Sequence, residues 1–176
     1  MLKRLIVKHE NTEIDAVDKN EFTALHFATL YGNVEITKTL LENGCKVNIS
    51  KRDNETPLHY GVNNTEITSL LLKFGAKVNV QEYEGETLIH NALRLFSYDE
   101  DITKDEISAK IKSVLRVLLK WVASEDLEIR NGEGQTCLDI AIERKYNEIS
   151  RMILMKKGLK ADISHSMYSI KHFFGK

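Results

Sequence analysis

The sequence predicts an all-α solenoid, a one-dimensional stack of short helix-turn-helix units, and three observations predict it. The first is a recurring hexapeptide: TALHFA, TPLHYG, TLIHNA and TCLDIA begin at Thr23, Thr56, Thr87 and Thr136, at intervals of 33, 31 and 49 residues. The second is a recurring tail, TLLENGCKVNI in the first unit and LLLKFGAKVNV in the second, with VLLKWVASEDLEI and MILMKKGLKADI in the same place later. The third is apolar periodicity between the two, where Leu25, Ala28 and Thr29 mark one helix and Val34, Ile36, Leu40 and Leu41 a second. Self-similarity at such a period is the signature of stacked units, none of which can bury its apolar face alone.

Each unit can be justified element by element. Threonine is a good N-cap, and Pro57 suits the first helical position, where its missing N–H would be unpaired anyway. Gly32-Asn33 separates the two helices of the first unit, and Gly44 falls where the second should end, in a left-handed conformation that glycine adopts without steric cost. The second unit is two residues shorter between its helices, GVNNTEI against ATLYGNVEI, and carries Gly61 where the others have alanine. That exchange costs about 1 kcal/mol of helix propensity, so this unit should be the soft one unless packing requires the glycine. The third unit carries about 16 extra residues, LFSYDEDITKDEISAK, between its helices. The acids there, Asp99, Glu100, Asp101, Asp105 and Glu106, lack the alternate spacing and the glycine of a calcium loop, so the insertion is expected to be a solvated linker, the alternative being a charged edge that meets a basic patch on a partner. NGEGQ, residues 131–135, lacks the Lys-Ser/Thr that would make it a phosphate cradle and falls where a hairpin turn belongs.

The bulk numbers narrow the function classes. Hydrophobic residues are 42% and charged residues 29% of the 176, which fits a folded chain able to build a core. With 25 basic and 26 acidic residues there is no global field to draw the chain to nucleic acid or to an anionic membrane, so neither is expected as a partner. Cys45 and Cys137 belong to no CxxC pair and are expected as free thiols. The apolar run near the start, Leu5 to Val7, is too short for a secretion signal, and the expected location is the cytoplasm, with the nucleus open to it.

His26, His59 and His90 recur once per unit but cannot share a metal ion, because stacked units hold equivalent atoms about 10 Å apart. No nucleophile motif, P-loop or zinc-protease motif is present. No catalytic, cofactor-binding or metal-binding residue is therefore assigned, and the protein is expected not to be an enzyme.

The pattern T-P-L-H-x-A, a glycine turn, then L-L-x-x-G-A-x-V-N resembles the ankyrin repeat, over about residues 5–163. The resemblance implies an ankyrin-repeat solenoid of about four helix-turn-helix repeats with an N-terminal half repeat and a C-terminal capping helix. The expected division is a partial repeat at 1–17, repeats at 18–50, 51–81, 82–130 (with the acidic insertion at 96–110) and 131–163, and a cap or tail at 164–176. It also implies that the threonine and histidine of each unit hydrogen-bond locally and tie neighbouring units together, although Asp139 replaces the histidine in the fourth.

Ankyrin proteins bind through their hairpin tips and the concave face of their first helices, so the resemblance implies a monomer that binds another protein there. The register places Lys19, Asn20, Phe22, Arg52, Asp53, Glu55, Tyr83, Glu84, Glu86, Glu133 and Gln135 at tips. It places Phe27, Leu30, Tyr31, Tyr60, Asn63, Asn91, Arg94, Ile140 and Arg144 on the concave face. The partner-binding set expected from these is Phe22, Phe27, Tyr31, Arg52, Asp53, Tyr60, Tyr83, Glu84, Asn91 and Arg94, rich in the aromatic and arginine side chains that anchor interfaces. Trp121, on an outer helix, is expected in the core. The compact stack and the string GQTCLDIA also resemble the inhibitor-of-NF-kappaB type, which implies masking of a transcription factor. The competing expectation is a regulatory or adaptor ankyrin segment of a larger channel, enzyme or ubiquitin-ligase complex.

Overall fold

The structure, a computed structural model, describes residues 14–94 and 103–158. The expected half repeat lies outside the described residues up to position 13, as do the acids Asp99, Glu100 and Asp101 and the expected C-terminal cap at 164–176. Among the described residues the fold is all-α. Its helices are α1 (Ala24–Leu30), α2 (Val34–Glu42), α3 (Pro57–Gly61), α4 (Thr65–Lys73), α5 (Leu88–Arg94), α6 (Lys104–Leu118), α7 (Cys137–Glu143) and α8 (Asn147–Lys156). A single 3-10 turn, Glu125–Glu128, follows α6.

The helices pack in pairs, α1 with α2, α3 with α4, α5 with α6 and α7 with α8. The odd-numbered helices stack on one another to form an inner row, and the even-numbered ones form an outer row. Between the rows runs one continuous core. Leu25, Leu58, Ile89 and Leu138, each two residues after a capping threonine, are all at most 4% exposed. Burying a leucine or isoleucine this fully contributes about 1.5–3 kcal/mol, so this one recurring position supplies much of what holds the row together. Ala28, Ala92 and Ala141 are buried too, three residues further on, where the inner helix meets its outer partner.

Gly61 occupies that alanine position in α3, and the packing requires it. A Cβ there would lie 2.7 Å from Ile67 Cγ2, 3.3 Å from Leu71 Cδ1 and 3.5 Å from Thr29 Cβ. The shortened unit therefore draws its two helices closer together, and the lost helix propensity is the condition for that approach. Gly44 ends α2 at φ +80°, as the sequence predicts.

The long insertion requires a correction. From Thr103 it is not a linker but the start of α6, which runs for 15 residues. The Thr103 hydroxyl and backbone N–H both donate to the Glu106 carboxylate, and Glu106 N–H donates back to the Thr103 hydroxyl, forming a capping box. Ile107 packs against the core and Ile111, Val114, Leu115 and Leu118 are buried, so these residues are helical because an apolar stripe runs through them. Asp105 and Glu106 sit in the first turn, where a negative charge complements the helix dipole.

Candidate binding surface

Four hairpin turns of one design precede the four inner helices. In each, the backbone N–H of Asp18, Lys51, Glu82 or Asn131 donates to the carbonyl four residues on, Phe22, Glu55, Glu86 or Gln135, at 2.9–3.1 Å. The residue before that carbonyl takes a left-handed conformation each time: Glu21 (φ 66°), Asn54 (φ 60°), Gly85 (φ 73°) and Gly134 (φ 76°). NGEGQ is thus the hairpin turn its sequence predicts. The turns are also tied to one another, Tyr83 N–H donating to the Asp53 carbonyl and Gly132 N–H to the Glu84 carbonyl, both at 2.8 Å. Residues 53, 83 and 84 are therefore displayed from a backbone that is held in place.

The threonine-histidine pairs are scaffold. The backbone N–H of Thr23, Thr56 and Thr87 donates to Nδ1 of His26, His59 and His90 at 3.1, 3.0 and 3.2 Å. Nδ1 acts as an acceptor, so the proton belongs on Nε2, and in His90 that nitrogen donates to the Gln135 carbonyl of the next unit at 3.1 Å. Burial holds all three imidazoles below the usual histidine range, which keeps them neutral. Asp139 keeps the cap, its carboxylate accepting the Thr136 N–H and hydroxyl, both at 2.8 Å, but has no proton to pass onward. Among the described residues no group of three or more His, Cys, Asp and Glu side chains could hold a metal ion. Both cysteines are buried free thiols, with burial pushing Cys45 up to about 11 and Cys137 up to about 12.

The expected binding residues divide into three groups. Phe27, Leu30, Tyr31 and Tyr83 are exposed, Tyr31 by 79% and Tyr83 by 84%. Phe27 and Tyr31, one helical turn apart, stack with ring centroids 6.4 Å apart and an interplanar angle of 11°. Arg52, Asp53 and Glu84 are exposed at the tips, although Arg52 Nε is paired with Glu21 at 2.6 Å.

Phe22 and Tyr60 are half-buried and stitch the first two units together. Their rings lie 5.4 Å apart, the Tyr60 ring meets His26 edge-on, and the Tyr60 hydroxyl donates to Glu55 at 2.6 Å. Burial and that bond push Tyr60 up to about 12. Lys51 closes the cluster with its ammonium on both Glu55, at 2.7 Å, and Asp53, at 2.9 Å, and 5.5 Å above the Phe22 ring.

Asn91 and Arg94 are also half-buried, and Arg94 serves the fold. Its guanidinium pairs with Glu86 at 3.0 Å and Glu133 at 2.8 Å and donates to the Gln135 side chain at 3.0 Å. Glu86 is 5% exposed, so its place at a tip is corrected: it turns inward to Arg94 and Asn131, and burial raises its carboxyl above the usual range. Ile140, expected on the concave face, is 2% exposed and belongs to the core cluster. Trp121, expected in the core, is half exposed because α6 ends at Leu118 and the chain turns there.

The missed feature is the residue just before each capping threonine. Phe22, Glu55, Glu86 and Gln135 do not sit at the tips but reach along their own helices, to Phe27, Tyr60, Arg94 and Glu143 respectively. The signal was available in the spacing, five residues in the first two units and eight in the last two. Between the inner helices lies a depression of about 410 Å³ lined by Leu30, Glu55, His59, Tyr60, Asn63, Asn91 and Arg94. It crosses three units.

The comparisons with known proteins agree with this geometry. Residues 1–82 match the family model for ankyrin repeats, in three copies. An ankyrin repeat-containing protein of Schizosaccharomyces pombe is 39% identical over 56 residues, which is 31% of this chain and 27% of that protein. Human inversin is 36% identical over 52 residues, 30% of this chain and 5% of inversin. An ankyrin repeat protein of variola virus is 36% identical over 53 residues, 30% of this chain and 10% of that protein. The matched stretches thus span about a quarter or less of these relatives. The family match shows that residues 1–82 consist of ankyrin repeats, and the same paired-helix packing continues to residue 158.

Proposed function

We propose that this protein is a non-catalytic module that holds another protein against its inner helices and hairpin tips. The observation that carries the reading is the exposure of Phe27, Leu30, Tyr31 and Tyr83, large apolar side chains that the fold leaves uncovered. Complementarity of shape and charge would do the work, and no chemistry on the partner is needed. In its finer form the partner is a transcription factor whose dimer and localisation surface the stack masks, on the inhibitor-of-NF-kappaB pattern; the string GQTCLDIA at 134–141 supports this. The protein would act as a monomer in the cytoplasm or nucleus, without nucleic acid or membrane contact. Among the described residues no helix is long and apolar enough to cross a membrane.

A second reading, an ankyrin segment that regulates or adapts a larger channel, enzyme or ubiquitin-ligase complex, draws support from inversin, where the matched repeats are 5% of the protein. Affinity capture with quantitative mass spectrometry tests both. Tyr31→Ser combined with Tyr83→Ser removes two exposed side chains whose hydroxyls make no hydrogen bond among the described residues, and should cut recovery of the specific partner at least tenfold. Circular dichroism should stay unchanged. Unaltered recovery would remove the inner face from consideration, and the identity of the captured protein separates masking of a transcription factor from service in a larger complex.

A further inference from the structure

The two ends of the inner surface differ in chemistry. The first inner helix, ALHFATL, carries no Asp, Glu, Lys or Arg and presents Phe27 and Leu30, with Tyr31 just beyond. Two units further on, the surface is acidic. Arg94, the cation of α5, is held by Glu86 and Glu133, and Arg130 donates to the Gly134 carbonyl of its own hairpin at 2.6 Å. The Glu84 side chain is exposed at the third tip with no side-chain partner among the described residues, beside the uncovered ring of Tyr83. The depression between α1, α3 and α5 joins the two ends, and Asn63 and Asn91 give it an amide-lined floor.

We propose that the occupant of this surface is one extended protein segment with an apolar anchor at one end and a lysine or arginine at the other. This rests on the inner-face reading above and specifies the partner's chemistry. The anchor packs on Phe27, Leu30 and Tyr31; the cation pairs with Glu84, and an arginine would also stack on Tyr83. Neighbouring inner helices lie about 10 Å apart, so the first and third are about 20 Å apart. An extended chain advances about 3.3 Å per residue, which sets anchor and cation about six or seven residues apart. A segment with an acidic residue in place of the cation meets like charge at Glu84 and is rejected.

The test is selection from a displayed random-peptide library of about twelve residues, enough to span the distance twice, against the whole chain. Enriched peptides are then made synthetically and titrated by fluorescence anisotropy. Enrichment of an aromatic or large aliphatic residue six or seven positions from a lysine or arginine is expected. Glu84→Lys should weaken those peptides at least tenfold, and Phe27→Ser should do the same. Enriched peptides without a basic residue, indifference to Glu84→Lys, or no binder tighter than about 100 µM would overturn the proposal. The two readings fail differently: if Phe27→Ser abolishes binding and Glu84→Lys does not, only the charged end is lost, whereas indifference to both removes the inner face itself.

Discussion

The inner helices α1 and α5 are each seven residues long, start from the same threonine-histidine cap and bury four equivalent positions, yet their outward residues serve opposite ends. At equivalent places α1 has Phe27 and Leu30 and α5 has Asn91 and Arg94. The outward residues of α5 are absorbed into the fold, because Arg94 compensates the buried carboxylate of Glu86 and reaches the next hairpin. Those of α1 compensate nothing: Phe27 and Leu30 are 38% and 46% exposed. The scaffold dictates the buried positions in both helices and leaves the outward ones free, so an apolar side chain there that stays partly exposed is a candidate for contact with something else.

Removing the charge from α5 should break the comparison from the structural side. Arg94→Met leaves Glu86 buried without its cation and should cost about 2–3 kcal/mol, below the range for a fully buried pair because Arg94 is 28% exposed. For a chain of this length that is a fall of about 5–10 °C in Tm. A fall below about 1 °C would mean that the fold does not need Arg94 as the counterion of Glu86.

A smaller effect is expected at α3, which sits between the two. Gly61→Ala gains about 1 kcal/mol of helix propensity but drives a Cβ to 2.7 Å from Ile67 Cγ2, a methyl on a β-branched side chain that cannot swing away. Overpacking costs about 1–3 kcal/mol, so a net loss of about 1 kcal/mol is predicted by urea denaturation. A stabilised variant would show that the short unit tolerates an ordinary alanine and that its close approach is not what selects glycine.

The scaffold was legible in the sequence because its rules are local. A capping threonine, a leucine or isoleucine two residues on and a glycine after the outer helix recur in register, and each acts through its own turn or helix. The start of α6 was legible too, in Thr103-x-x-Glu106 followed by Ile107, Ile111, Val114 and Leu118 at helical spacing, but the acids upstream drew attention to charge rather than to period. Ile140 and Glu86 were misplaced for a different reason. The register says which way a residue leaves its helix, but not whether a neighbouring unit covers it or supplies it with a counterion. The same limit hid the stitching of Phe22, Tyr60 and Arg94 between units, which depends on pairs of residues from different repeats.

The most direct measurement transplants the outward face of α5 onto α1, as Phe27→Asn combined with Leu30→Arg, and compares Tm with partner affinity in the same preparation. The fully buried positions are untouched and the main loss is the packing of Phe27 on Phe22, worth about 0.5–1.5 kcal/mol, so a fall in Tm of no more than about 6 °C is predicted. Affinity for the captured partner should fall at least tenfold. Retained affinity with unchanged stability would contradict the account, because the exposed apolar face of α1 would then serve neither the fold nor a partner.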